Sequence, residues 1–268
     1  MEWRNIYRGA MMGISELIPG VSSGTIAVML GIYDQLIRSI NGFFSKDWKQ
    51  HLRFLVPLGI GIVIAFVSFL KLINWLLTYH TEPTHFFFMG LIVGILPLLF
   101  KKAKVRQTFK AGHFAALIVA LLFVAGMELF RTEGTADPIT QLTLLSGAGL
   151  FFSGWLASMS MLMPGISGSL VLLILGVYHT ATFALESFNI PIIMAIGSGV
   201  IVGIIVSSKA IKYILSRFPY GSYAVIIGLV IGSLVPVYPG IESIFQLIPS
   251  IITFIAGLLT AILLGARG

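Results

Sequence analysis

The chain is a succession of long apolar segments separated by short polar or basic stretches. None of the apolar segments shows the alternation of apolar and polar positions that is typical of strands in a membrane barrel. Since a segment in lipid must satisfy its own backbone hydrogen bonds, we predict that all of them are helices. The predicted segments are 6–18, 20–39, 54–77, 85–100, 112–130, 143–163, 166–185, 190–208, 221–238 and 246–264.

The composition indicates that these helices belong to a membrane protein. Of the 268 residues, 57% are hydrophobic and 10% are charged, whereas a soluble domain carries about 25% charged residues. At about 20 apolar residues per crossing, the chain has room for roughly eight to ten membrane segments. We therefore predict an all-α polytopic protein with a single transmembrane domain over 1–268. Its net charge of +7 is scattered over short loops, which excludes nucleic acid as a partner.

The chain contains no cysteine, which excludes disulfides, thiolate nucleophiles and cysteine-ligated metals. The five histidines are dispersed along the sequence. His80, Glu82 and His85 could be drawn as a metal site, but they fall at a short predicted interfacial loop (78–84) that contains Pro83, with His85 directly after it. We predict no metal and no cofactor.

A motif of Pro-Gly followed by small and hydroxyl residues occurs twice, 145 positions apart. The two copies are Pro19-Gly20-Val21-Ser22-Ser23-Gly24-Thr25 and Pro164-Gly165-Ile166-Ser167-Gly168-Ser169. Later features recur 138 positions apart in the same order, namely Gly59-x-Gly61 as Gly197-x-Gly199, and Gly90-x-x-x-Gly94 as Gly228-x-x-x-Gly232. An ordered series of this kind predicts two homologous halves, about 1–130 and about 140–268.

The positive charges predict how the two halves are oriented. If each Pro-Gly pair is a hairpin that enters and leaves on one side, all but two of the 17 Lys and Arg residues lie on the side of the N-terminus. The exceptions are Lys71 and Arg131. Each half then has a re-entrant helical hairpin broken at Pro-Gly plus three transmembrane helices. Because the hairpin returns to its own side and three is an odd number of crossings, the second half starts on the opposite side of the membrane and is inverted. We predict inverted-topology repeats with both termini in the cytoplasm.

The two motifs have a chemistry that follows from their residue types. Proline ends the preceding helix, glycine lets the chain turn, and the next residues begin a new helix whose free N–H groups favour an anion. Two such breaks from inverted halves form the binding site of many transporters. An alternative is a simple kink with serine caps. The predicted phosphate-binding residues are Pro19, Gly20, Ser22, Ser23, Gly24, Thr25, Pro164, Gly165, Ser167, Gly168 and Ser169.

Three charged residues are further candidates. Glu16 is an acid inside an apolar segment, just before the first break. It is predicted either to couple transport to H+ or Na+, or to pair with a lysine or a backbone amide. Lys71 and Lys209 occupy equivalent positions in the halves, and they either neutralise a phosphate from opposite faces or extend to the membrane interface. Two Gly-x-Tyr pairs are interpreted as helix packing and interfacial aromatics: Gly31 with Tyr33, and Gly176 with Tyr178.

The two Pro-Gly motifs, each followed by Gly-Ile-Tyr or Gly-Val-Tyr, resemble the PopT family of bacterial polyprenyl-phosphate translocases over essentially the whole chain. The chain departs from the family pattern at Ser23 (usually glycine), at Glu16 (more often aspartate) and at His179 (an acid). The resemblance implies a flippase that returns undecaprenyl phosphate to the cytoplasmic leaflet of the bacterial inner membrane for cell-envelope synthesis. Its partners would be the polyprenyl phosphate and membrane lipids.

Two other functions are compatible with this layout. Polyprenyl-diphosphate phosphatases of the BacA type also resemble it, but they carry an arginine in the Pro-Gly loop and paired acids nearby. Segments 19–25 and 164–170 contain no Arg and no His, whereas phosphoryl transfer needs cationic stabilisation and a nucleophile or base. We therefore predict that the chain is not an enzyme. A secondary transporter for a small soluble anion is the other alternative. No sequence feature predicts the oligomeric state.

Overall fold

The computed structural model describes residues 2–18, 20–43, 45–130, 138–241 and 244–265. Every regular element in these ranges is a helix, so the predicted all-α class is confirmed. The helices of the first half are α1 (Arg4–Glu16), α2 (Ser23–Met29), α3 (Tyr33–Gly42), α4 (Trp48–Tyr79), α5 (Thr81–Ala103), α6 (Val105–Thr108) and α7 (Ala111–Met127), the last extended by a 3-10 turn at Glu128–Phe130. Those of the second half are α8 (Leu144–Leu162), α9 (Gly168–Ile174), α10 (Tyr178–Glu186), α11 (Ile190–Arg217), α12 (Pro219–Gly232), α13 (Leu234–Val237) and α14 (Ile244–Gly265).

Seven helical spans in these ranges are long and apolar enough to cross a membrane. Six of them, formed by α4, α5, α7, α11, α12 with α13, and α14, correspond to the six predicted crossings. The seventh is α8, the first arm of the second hairpin, with 19 residues. Its counterpart α1 has 13 residues, and at 1.5 Å per residue it is about 20 Å long, short of the roughly 30 Å hydrocarbon core. The chain is a multi-pass helical membrane protein.

The segments that follow the Pro-Gly pairs are each two helices. The prediction of one continuous helix over 20–39 and over 166–185 is therefore wrong. Gly31 and Gly176, with φ of 70° and 69°, end α2 and α9 in the left-handed conformation that glycine tolerates. The same backbone hydrogen bond, 2.9 Å long, closes both helices: Ile32 N–H to the Ala27 carbonyl, and Val177 N–H to the Leu172 carbonyl. The chain bends by 109° between α9 and α10.

The helices before the two Pro-Gly pairs, α1 and α8, each pack against a long helix of the same half. Thus α1 lies along α4, and α8 lies along α11. Close backbone approach makes this possible, because a Cβ added at Gly61 would collide with the Ile6 carbonyl oxygen, and one added at Gly199 would collide with that of Phe151. These two glycines are equivalent positions of the sequence repeat. Small residues at such interfaces are typical of helix packing in membranes.

The remaining long helices pair between the halves. Helix α5 packs against α14, and α12 packs against α7. A Cβ at Gly90 of α5 would collide with the Phe254 carbonyl of α14, and a Cβ at Gly228 of α12 would collide with the Leu117 carbonyl of α7. The repeated Gly-x-x-x-Gly motifs therefore join one half of the chain to the other.

The described residues at the two Pro-Gly motifs are buried, among them Gly20, Pro164 and Gly165. Ile18, Val21 and Met29, which flank the first break or end α2, are at most 1% exposed. By contrast, large apolar side chains such as Val67 and Phe123 are 80% and 59% exposed on the outer faces of the long helices, where a membrane would cover them. The two Pro-Gly segments are thus held in the protein core.

Candidate functional site

The two chain breaks lie against each other: residues 17, 18 and 20–22 (the first break) and 163–167 (the second break). The Ser22 hydroxyl donates a hydrogen bond to the Met163 carbonyl oxygen at 3.2 Å. The Gly165 N–H donates to the Thr25 hydroxyl oxygen at 2.9 Å. Residues that are about 140 positions apart in sequence are therefore joined at one point, where the first break and the start of α2 both bond to the second break.

Glycine is required where the breaks touch. A Cβ added at Gly24 would lie 3.1 Å from the Pro164 nitrogen, which is tighter than ordinary contact. Gly20 and Gly165 have φ of 86° and 90°, in the left-handed region that side chains rarely adopt. Gly168 packs against the backbone of α8 and the Met161 side chain. These four glycines, all predicted site residues, allow the two chain segments to turn and to approach each other.

The serines that precede α2 and α9 do not cap those helices. Ser22 and Ser167 stand at the N-cap positions with extended backbone, but neither side chain forms a capping hydrogen bond. The Ser22 hydroxyl binds the opposite break, and the Ser167 oxygen lies 2.8 Å from that of Ser169. The alternative of a simple kink with serine caps is therefore not what the described residues show.

Glu16 occupies the amino end of α2. Its carboxyl oxygen accepts a hydrogen bond from the Ser23 N–H at 3.1 Å, so an acidic side chain of the protein itself already occupies this helix end. The sequence analysis offered a lysine or a backbone amide as a structural partner for Glu16. The structure shows the backbone amide of Ser23. Met161 stands at the equivalent position of the second half, so the two breaks differ chemically.

The predicted phosphate-binding residues are mostly buried by this contact. The buried ones are Gly20, Ser22, Ser23, Gly24, Thr25, Pro164, Gly165, Ser167 and Gly168. Ser169 and Glu16 are partly exposed. Pro19 lies outside the described residues.

The two lysines lie apart from the contact between the breaks. Lys71 is exposed on α4, and the close glycine contacts between α4 and α1 lie at Leu58, Gly61 and Ala65. Lys209 is exposed on α11 and lines a cavity of about 190 Å³ together with Asn41 and Ser208. The Asn41 amide there donates to the Ser208 carbonyl at 2.9 Å. Neither lysine forms a hydrogen bond or an ion pair within the ranges that the structure describes.

Tyr33 is a site residue that the sequence analysis missed. It was interpreted as an interfacial aromatic, but its side chain is only 7% exposed. Its hydroxyl donates to the Leu162 carbonyl oxygen at 2.9 Å, at the end of α8 and directly before the second break. The available signal was its repeated position two residues after Gly31. Tyr33 also lines an apolar cavity of about 360 Å³ that reaches Met163 and Pro164.

The candidate metal site is part of a helix. Only His80 separates α4 from α5, so the predicted loop over 78–84 is wrong. Glu82 is buried in the first turn of α5, and the His85 ring nitrogen lies 2.9 Å from the Thr81 carbonyl. Within the described residues no group of three or more His, Cys, Asp or Glu side chains is placed to hold a metal ion.

These features define a class: a multi-pass helical membrane protein whose core holds two mutually bonded Pro-Gly breaks. The family model described as undecaprenyl phosphate translocase-like matches residues 12–255. The chain belongs to this family, and the resemblance seen in the two motifs is confirmed.

Two curated relatives align along most of the chain. The chain is 41% identical over 273 residues to the polyprenyl-phosphate transporter of Staphylococcus aureus, covering 98% of this chain and 96% of the relative. It is 31% identical over 258 residues to the polyprenyl-phosphate transporter of Vibrio cholerae, covering 91% and 80%. Both are named as transporters, which bears out the prediction that the chain is not an enzyme. No solved structure matches the chain.

Proposed function

We propose that this protein transports a polyprenyl phosphate across the bacterial inner membrane, returning the lipid carrier to the cytoplasmic leaflet for cell-envelope synthesis. Both curated relatives are named polyprenyl-phosphate transporters. The observation that carries the proposal is the contact between the breaks, where the Ser22 hydroxyl meets Met163 and the Gly165 amide meets Thr25. Hydroxyls and amides at the start of two helices are the groups that would hold a phosphate head.

We further propose that the protein is a single domain of two inverted repeats. The matching helix order of the halves, with equal closures at Gly31 and Gly176, supports the repeat. The short length of α1 supports a hairpin that re-enters the side it came from. The distribution of Lys and Arg favours a cytoplasmic location for both termini. In this arrangement the second hairpin enters from the opposite side, so the two breaks meet inside the membrane.

In the proposed mechanism the breaks separate to admit the phosphate head. The groups that bond across the contact, such as the Thr25 hydroxyl and the Gly165 amide, then turn to the ligand, together with Ser167 and Ser169. The phosphate must also displace the Glu16 carboxylate from the Ser23 amide, because two anions repel each other at one donor. Neutralising Glu16 with H+ or Na+ removes that repulsion, which couples the ion to lipid movement. The polyprenyl chain stays in the bilayer while the head crosses.

The test is lipid movement in vesicles that contain only the purified protein. A short-chain polyprenyl phosphate with a fluorescent group is added to one leaflet, and its arrival in the other is followed by chemical quenching. We expect faster exchange than in protein-free vesicles and no acceleration for the uncharged polyprenol. No acceleration with the phosphate overturns the proposal. Release of inorganic phosphate from a lipid diphosphate instead indicates the phosphatase, and uptake of a soluble anion indicates the anion transporter.

A further inference from the structure

An apolar cavity of about 360 Å³ opens between α3, α11 and α12, next to the second break. Its wall includes Ile211, Val225 and Leu229, and it reaches from Phe218 to Pro164. Along α12, from Gly221 to Leu229, this is roughly 12 Å at 1.5 Å per residue. The cavity therefore connects the beginning of α12 with the break itself.

The two hydroxyl groups of this cavity form hydrogen bonds inside the protein. Tyr33 donates to the Leu162 carbonyl at 2.9 Å. Ser222 donates to the Phe218 carbonyl at 2.8 Å. A ligand in the cavity thus meets a surface that is almost wholly apolar, and any charged part of the ligand must be bound elsewhere.

A second, polar cavity of about 300 Å³ adjoins the apolar one, and Leu215 lines both. Its side chains include Arg38 of α3 and Lys212 of α11, with Asp34 on the same side of α3. All three charged side chains are exposed. Within the described ranges no carboxylate lies within 4.0 Å of either cation.

We call the two adjoining cavities the docking groove. Its cationic part and its apolar part match the two ends of an amphiphile with an anionic head. We propose that the polyprenyl phosphate docks here, next to the second break, with its phosphate between Arg38 and Lys212 and its first isoprene units along Ile211 and Val225. This step rests on the proposed function. Charge complementarity selects the occupant, because a neutral lipid would gain nothing from the two cations and a soluble anion nothing from the apolar wall.

The position of the groove suits a binding step next to the second break. Met163 and Pro164 line its inner end, and the Met163 carbonyl is the group that the Ser22 hydroxyl contacts. A lipid in the groove therefore touches the second break without having to open it. Under the proposed topology the carboxyl end of α11 lies on the cytoplasmic side, so the groove is the site where the lipid leaves the transporter when it is carried inward.

The first experiment locates the lipid on the wild-type protein. A polyprenyl phosphate with a photoreactive diazirine in the isoprene unit next to the phosphate is crosslinked in vesicles, and the labelled peptide is identified by mass spectrometry. We expect labelling within 211–229, competed by excess unlabelled polyprenyl phosphate and not by polyprenol. Competable labelling confined to other helices overturns the inference, as does equal competition by polyprenol.

The second experiment uses charge variants in the transport assay. Removing two exposed cation contacts in the Arg38→Gln/Lys212→Gln variant should raise the KM for polyprenyl phosphate added to the leaflet on the groove's side about tenfold. Asp34→Asn should lower this KM about threefold, because among the described residues Asp34 is the only carboxylate that lines the polar cavity. The matched control is Lys101→Gln/Lys104→Gln, which removes the same charge from a polar cavity of about 290 Å³ that does not share the apolar wall. It should leave KM unchanged.

The outcomes separate the docking groove from the proposed function. If the wild-type protein moves polyprenyl phosphate but both double variants have the same KM, the function stands and the groove is wrong. If the wild-type protein moves no polyprenyl phosphate, the proposed function fails first. Val225→Trp gives an independent check, since it fills the apolar part and should slow transport, whereas Val119→Trp on the exposed face of α7 should not.

Discussion

Thr25 and Gly165 are 140 residues apart, and a hydrogen bond of 2.9 Å from the Gly165 N–H to the Thr25 hydroxyl joins them. Both residues are buried. This bond joins the start of α2 to the second break. Substitutions at Thr25 can therefore measure how much it contributes to the stability of the protein.

Replacing Thr25 with valine should destabilise the protein. The change keeps the shape of the side chain but leaves the Gly165 N–H buried without its acceptor, which costs about 1–3 kcal/mol. Thr25→Ser keeps the hydroxyl and should stay close to wild type. Thermal unfolding in detergent measures both variants, and equal melting temperatures for the valine and serine variants would contradict this role of the hydrogen bond.

Two glycines with positive φ should respond differently to alanine. At Gly165 (φ 90°) a Cβ would collide with the Leu229 backbone, whereas at Gly176 (φ 69°) it would meet nothing within 4 Å. Gly176→Ala should therefore cost only the left-handed strain, about 1–2 kcal/mol. Gly165→Ala should cost clearly more and lower transport. The comparison of unfolding curves checks this order, and a reversed order would be incompatible with the described packing.

Tyr33 and Tyr178 stand at equivalent positions but have different surroundings. Tyr33→Phe removes the donor to the Leu162 carbonyl, at a cost of about 1 kcal/mol. Tyr178→Phe should be nearly neutral, because the Tyr178 hydroxyl forms no hydrogen bond within the described residues. Unfolding in detergent again gives the measurement. A loss of stability in both variants, or in neither, would show that the bond to Leu162 is not the difference.

Glu16→Gln should remove the dependence of transport on pH or on sodium. Glutamine keeps an oxygen that can accept from the Ser23 N–H, so the geometry of the first break is retained while the charge is lost. Transport is measured in vesicles across a range of pH and sodium, with Glu186→Gln, an exposed acid of α10, as the control. Wild-type behaviour of the Glu16 variant over the whole range would clear this residue of a coupling role.

The proposed topology is testable because the chain has no cysteine. Single cysteines at Trp3 and Lys46 flank the first hairpin, and cysteines at Leu142 and Phe188 flank the second. A thiol reagent that does not cross membranes should label the first pair from the cytoplasmic side and the second pair from the outside. Labelling of Trp3→Cys and Lys46→Cys from opposite sides would show that the first hairpin crosses the membrane once.

Much of the fold could be predicted because a membrane helix appears in the sequence as a long, uninterrupted apolar segment. Six crossings and the Pro-Gly breaks follow from apolar length and from residue types that end helices. The closures at Gly31 and Gly176 could not, since glycine is also common inside membrane helices and only its φ distinguishes the two uses. Their repetition at equivalent positions was the one available hint.

The residue types of the candidate site could be predicted from the two motifs. Most of the contacts between those residues could not. The two motifs predicted that Ser22 and Gly165 belong to one site, because each follows the proline of a Pro-Gly pair. The bond between Glu16 and Ser23 and that between Tyr33 and Leu162 depend on how the hairpins fold back, which no local pattern encodes. Whether the serines, Glu16 and the two lysines act on a ligand stays a prediction.

The exchange of helices between the halves also bears on how the chain is made. Helix α5 buries Gly90 against α14, which the ribosome adds more than a hundred residues later. Helix α7 likewise packs against α12, which is synthesised after it. The first half therefore enters the bilayer before its partners exist, and its final packing is completed only when the second half has been inserted beside it.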